Sequence, residues 1–246
     1  MDLQGLGGEV RFRDKVLWVF ASPSRCFGAL RERPDWFKAW LLVAIVGLLP
    51  NVILLNTIDL KQLAEQAVDE SEANQAESQE DYKPLSPQER EQAVERFVKG
   101  QWSASTLVAM MMSLLRLLVS AAAIYLLAYA FGIGGSFTGA LSVWAYASIV
   151  RIPEMLISAA IVVLTEGKGL NLESLLGEGA VSPAIQLAIA QFDPFSLWQL
   201  VVAGLGLALI RSTSRARGLS VMAAIWVLWW CLGIWSLSYS PLPPAQ

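Results

Sequence analysis

Five apolar stretches, at about residues 39–58, 104–131, 138–164, 195–211 and 219–239, leave this chain few ways to fold. Each approaches or exceeds the ~20 residues that a helix needs to cross ~30 Å of hydrocarbon. The basic residues between them are unevenly shared. The segment before the first stretch holds Arg11, Arg13, Lys15, Arg25, Arg31, Arg33 and Lys38, and the link between the last two holds Arg211, Arg215 and Arg217. The loop at 59–103 carries eleven acidic residues against five basic ones, the next long loop has only Lys168, and the tail has no basic residue. Positive charge stays on the cytoplasmic side of an inserted helix, so this ledger predicts five crossings, a cytoplasmic N-terminus and an extracytoplasmic C-terminus. The predicted fold class is an all-α integral membrane protein, with a bacterial inner membrane as its expected location.

Composition agrees, with 55% of residues hydrophobic and 16% charged. The expected layout is a cytoplasmic arm (1–38), a membrane domain (39–240) that includes an acidic external hairpin (59–103), and a short external tail (241–246). No cleavable signal peptide is expected, because the first apolar run is too long for one and lacks a small-residue cleavage site. The first span then serves as a retained anchor. The basic face fits anionic lipid and the insertion rule rather than nucleic acid. The chain has no histidine, which removes the commonest general base, metal ligand and haem ligand. Cys26 and Cys231 fall on different levels and are not expected to pair. No cofactor and no enzymatic activity are expected.

The arm has helical periodicity. Phe12, Val16, Val19 and Phe20 recur at i, i+4, i+7 and i+8, flanked by Arg11, Arg13 and Lys15, which predicts an amphipathic helix lying at the membrane interface. Ser22-Pro23 opens a second short helix through Phe27 and Leu30, and Trp36, Phe37 and Trp40 form an aromatic belt. The surface made by Phe12, Val16, Val19, Phe20, Arg25, Arg211, Arg215 and Arg217 is a candidate for lipid contact or protein docking. In the external hairpin, Ser86-Pro87-Gln88-Glu89 has the form of a capping box. Gly132 to Ser136 reads as a tight turn and lacks the Lys-Ser/Thr of a phosphate loop. In the third loop, Ser182-Pro183 is expected to cap a short segment to Ala190, and Asp193-Pro194 to cap the fourth span.

Three ionisable residues lie within spans: Arg116, Arg151 and Glu154. Helical rise places them about 18, 20 and 15 Å from the outer surface, in one layer of two adjacent helices. Arg151 and Glu154 share a face at i,i+3, and Arg116 is expected to close the cluster from the neighbouring helix. Pro153 frees a carbonyl that an arginine could satisfy. The cluster either fixes helix registry or lines a polar pathway. Gly204, Gly206 and Ala208 give a small-residue face for close packing, within the monomer or in a homo-oligomer.

Several segments in order resemble the bacterial branch of the YIP-domain family, named for Ypt/Rab-GTPase-interacting proteins. They are Ser22-Pro23-Ser24-Arg25-Cys26-Phe27, Gly134-Gly135-Ser136-Phe137-Thr138, Ala145-Tyr146-Ala147-Ser148 ahead of Pro153, and Asp193-Pro194-Phe195-Ser196-Leu197-Trp198 running through Gly204-Leu205 to Ala216. The resemblance spans roughly residues 15–240 and implies five spans with a cytosolic N-terminus. Its eukaryotic members are similar to adaptors for prenylated small GTPases, a role not carried over to this chain. Two functions are then expected from the sequence: a non-enzymatic membrane adaptor or scaffold, or a small transporter or channel component built on the Arg/Glu cluster. The partners expected are the lipid bilayer, an unidentified protein and a second copy of the chain.

Overall fold

The computed structural model describes residues 10–57, 60–78, 85–165 and 193–239, all in helices and turns. The expected helix at 182–190 and the external tail lie outside these residues. The helices are α1 (Phe12–Ala21), α2 (Pro23–Glu32), α3 (Phe37–Thr57), α4 (Leu60–Ser78), α5 (Pro87–Ala130), α6 (Phe137–Ser148), α7 (Ile152–Leu164), α8 (Pro194–Ile210) and α9 (Arg215–Tyr239). A single 3-10 turn, Ile149–Arg151, joins α6 to α7. Three helical stretches are long and apolar enough to cross a membrane: Pro87–Ala130, Phe137–Leu164 and Arg215–Gly233. Phe37–Ile53 and Pro194–Ile210 are apolar but shorter.

Caps set the helix ends. Ser86 Oγ accepts from Glu89 N while Glu89 Oε2 accepts from Ser86 N at 2.9 Å, so two orphan N–H groups at the head of α5 are satisfied reciprocally. The Ser86 hydroxyl also donates to Glu89, and these bonds hold the Glu89 carboxyl below the usual range. A depressed carboxylate stabilises above its unfolded pKa and loses that effect as pH falls through the folded one. Ser86→Ala is therefore expected to cost about 1 kcal/mol of local helix stability at neutral pH. Hydrogen exchange at residues 88–90 should show the loss, and the difference between variant and parent should shrink on acidification. At the other end, Gly132 at φ +69° and the Ile133 N–H to Ala128 carbonyl bond of 2.8 Å close α5 in a Schellman-type stop.

Alongside α5, α4 forms the expected hairpin. Ala64 and Val68 pack on Val94, and Arg90 reaches back to Asp69 and Glu72.

Side chains fix the vertical register of the rest. Tyr125 of α5 meets Phe137 at the start of α6, ring centroids 6.1 Å apart. Gln199 Nε2 of α8 donates to Ser148 Oγ at 3.0 Å, and Ile210 lies against Gly139. Thus α8 runs beside α6 and reaches only the level of the 3-10 turn. By contrast Trp40 Nε1, near the start of α3, donates to Ser113 Oγ at 3.2 Å, and Gly47 faces Met155 of α7. The bundle is stacked in two levels, with α8 along one half of α6–α7 and α3 mainly along the other.

The α1–α2 hairpin occupies the α8 level, and here the structure departs from the expected interfacial helix. Val19, Cys26, Phe27 and Leu30 are fully buried in the main core. Phe27 sits on Gly206, where a Cβ would come within 2.7 Å of its ring. Phe12 makes an edge-to-face contact with Tyr146 at 6.3 Å. The apolar side of the hairpin is covered by protein, not turned outward to lipid. The buried stripe of α1 is Phe12, Lys15, Val16 and Val19, while Phe20 is 43% exposed. Lys15 enters that stripe because Asp35 waits beside it, Nζ to Oδ2 3.8 Å.

Candidate functional site

The expected intramembrane cluster divides. Arg151 and Glu154 form a bidentate pair, Nε to Oε2 and Nη2 to Oε1 both 2.7 Å. Parallel N–H donors of the guanidinium match the two carboxylate oxygens, the strongest geometry open to such a pair. Backbone geometry positions it. Pro153 has no N–H to offer the Ile149 carbonyl four residues back. That carbonyl is taken instead by the Ile152 N–H, tightening residues 149–151 into the 3-10 turn. No arginine is needed there, contrary to the expectation from Pro153.

Arg116 does not join them. The core-facing stripe of α5 is Leu117, Ser120, Ala121, Ile124 and Ala128, and Arg116 falls outside it, exposed. Among the described residues no hydrogen bond or ion pair reaches its guanidinium. Helical rise says nothing of the direction in which a side chain leaves the helix, and that direction takes Arg116 away from the pair. Sequence reasoning also missed a polar group of α8 near the pair, while Asp193 takes the capping role expected of it. Gln199 is buried and bridges to Ser148 about one turn from Arg151. Asp193 caps α8 by accepting from Phe195 N and Ser196 N. With Arg116 out, the remaining pair is formally neutral, +1 −1, where three residues with one excess positive charge were expected. The signal available was Gln199, a polar residue inside the predicted span at 195–211.

The proposed docking residues also separate. Phe12 and Val16 are partly buried and Val19 fully so, leaving Phe20 and Arg25 on the surface of the hairpin. Leu17, 65% exposed, joins Phe20 there. Arg215 and Arg217 are exposed. Arg211 is spent internally: Nη1 donates to the Gly134 carbonyl at 2.7 Å, Nη2 to that of Ser136 at 2.8 Å, and the guanidinium lies 5.9 Å from the Tyr125 ring centroid. It ties the ends of α5, α6 and α8 together. Gly135, at φ +132°, must be glycine, since any Cβ would overlap this guanidinium. Cys26 is buried, and burial pushes its thiol up to about 12 against the opposing pull of Lys15. It is a packing residue, not a reactive one.

A family model, that of the Yip1 domain, matches residues 18–237. The chain belongs to the Yip1 family. No curated protein and no solved structure matches it. The match begins inside α1 and ends inside α9, so most of the docked hairpin, the α4–α5 hairpin and the Arg151–Glu154 pair all belong to the Yip1 domain of this chain. Together with its apolar helices, this makes the chain a multi-pass helical membrane protein of that family.

Proposed function

We propose that this Yip1-family chain crosses a bacterial inner membrane five times, N-terminus inside and C-terminus outside, and works as a non-enzymatic adaptor or scaffold. One arrangement supports the reading above others. The α1–α2 hairpin is locked to the bundle through Val19, Cys26, Phe27 and Leu30, yet turns Arg13, Leu17, Phe20, Arg25, Arg31 and Arg33 outward. An ordered surface mixing exposed apolar and basic side chains suits a protein or an anionic lipid face, and its ordering cost is met on folding rather than on binding. Transport has less support, because Arg116 leaves the pair on which a polar passage would be built.

Deleting the hairpin would remove core, so the test is confined to its surface. Leu17→Glu with Phe20→Glu is expected to abolish recovery of a stoichiometric crosslinked partner from native membranes, with the thermal midpoint in detergent unchanged within about 2 °C. Equal recovery from the parent and the double variant would sink the reading.

A further inference from the structure

Among the described residues, Arg116 is an in-span charge with no hydrogen bond or ion pair. It lies about 14 residues from Trp102 and 15 from Phe131, roughly 21 Å of helix on either side, which exceeds the reach of a snorkelling arginine. Desolvating a guanidinium at such a depth costs several kcal/mol, so an intramembrane arginine implies an anionic partner. Its neighbours describe a surface for one. Met112, Arg116, Val119, Ala123, Leu126 and Ala130 recur at alternating steps of four and three, the seam spacing of packed helices. Met112, Val119 and Leu126 are 55%, 46% and 64% exposed, Ala130 is exposed and Ala123 half-buried. Two alanines on the seam allow close backbone approach, and one charge within it fixes register.

We propose that this face of α5 receives a transmembrane helix of another membrane protein that carries an aspartate or glutamate at the level of Arg116. Charge selects that occupant. A second copy would bring Arg116 against Arg116 across a two-fold seam, and its in-span carboxylate, Glu154, already has both oxygens on Arg151. A lipid phosphate lies at the membrane surface, beyond the reach of this side chain. The inference needs α5 to cross a bilayer and is independent of any role for the α1–α2 surface.

The test uses the full chain in phosphatidylcholine vesicles with synthetic Leu/Ala transmembrane peptides of 24 residues, carrying one central Glu or Gln, and reads association by energy transfer. The Glu peptide is expected to bind about tenfold more tightly than the Gln peptide. Arg116→Leu should erase that preference and Arg116→Lys should retain much of it, with helix content by circular dichroism matching the parent in both. Equal binding of the two peptides, or a preference that survives Arg116→Leu, overturns the proposal. So does a preference that vanishes when a fifth of the lipid is anionic, which would assign Arg116 to headgroups. Self-association of the parent that Arg116→Leu removes would assign the face to a second copy and overturn it equally.

Discussion

Phe27→Ala should be among the most damaging single changes in this chain, with an expected loss of about 4 kcal/mol. The ring is fully buried between α2 and α8, resting on Gly206. Truncation removes the ring's transfer energy and leaves a hole, and the size of the penalty depends on how far the walls can close. Here they close poorly. The opposite side of α8 is pinned to α9, because Gly218 lies so near the Gly204 carbonyl that a methyl group there would overlap it. The same glycine contact stops α8 from tilting away from α9 to follow a receding α2. Thermal or denaturant unfolding in detergent measures the loss, and the Cys26 thiol, sheltered one residue away, should become open to alkylation. A loss below about 1 kcal/mol, with Cys26 still protected, would mean that the hairpin is not docked on α8 as described.

Glu154→Ala is expected to cost about 3 kcal/mol, at the low end for a broken buried ion pair because the two side chains keep 33% and 27% of their surface. The two partners are not equivalent. Without Glu154, Arg151 retains a charge that it cannot shed, since a guanidinium does not deprotonate in proteins. Without Arg151, the orphan is a carboxyl, a group that, unlike a guanidinium, has a neutral form and so costs less to leave unpaired. The expected order of destabilisation is therefore Glu154→Ala, then Arg151→Ala, then Arg116→Ala close to the parent. Glu154→Gln, which keeps an acceptor oxygen, should fall between the first and the second. Folded yield and thermal midpoint in detergent rank all four. Equal losses for Glu154→Ala and Arg116→Ala would show that the pair does not carry the energy its geometry implies.

Local chemistry made much of this architecture legible. The apolar stretches became α3, α5, α6–α7, α8 and α9, and Ser86, Ser136 and Asp193 cap helices with an oxygen side chain just ahead of the first turn. Such features are encoded within a few residues. What the sequence withheld was how helices are turned and stacked. Helical rise puts Arg116 and Glu154 in one layer, yet one points outward from α5 and the other into a pair, because azimuth depends on which neighbour each helix meets. The α1 stripe was assigned to lipid by periodicity, whereas Lys15 could enter the core only because Asp35, twenty residues later, folds beside it. The stagger of α3 and α8 along α6–α7 has a similar origin. It rests on Trp40–Ser113 and Gln199–Ser148, pairs separated by 73 and 51 residues.

The uninterrupted course of α5 has a mechanical consequence. Its 44 residues form a rod of about 66 Å, without proline after Pro87, running from the Ser86 cap to the Schellman-type stop at Gly132. An α-helix is stiff along its axis, so the α4 hairpin clamped to one end and the Arg211 tie clamped near the other are rigidly linked. A tilt of about 5° about one end displaces the other by about 6 Å, more than the length of a salt bridge. Anything that leans on the acidic hairpin therefore pulls on Tyr125, and through it on the turn that Arg211 holds shut. The helix is a continuous link between the α4 hairpin and the turn that Arg211 holds.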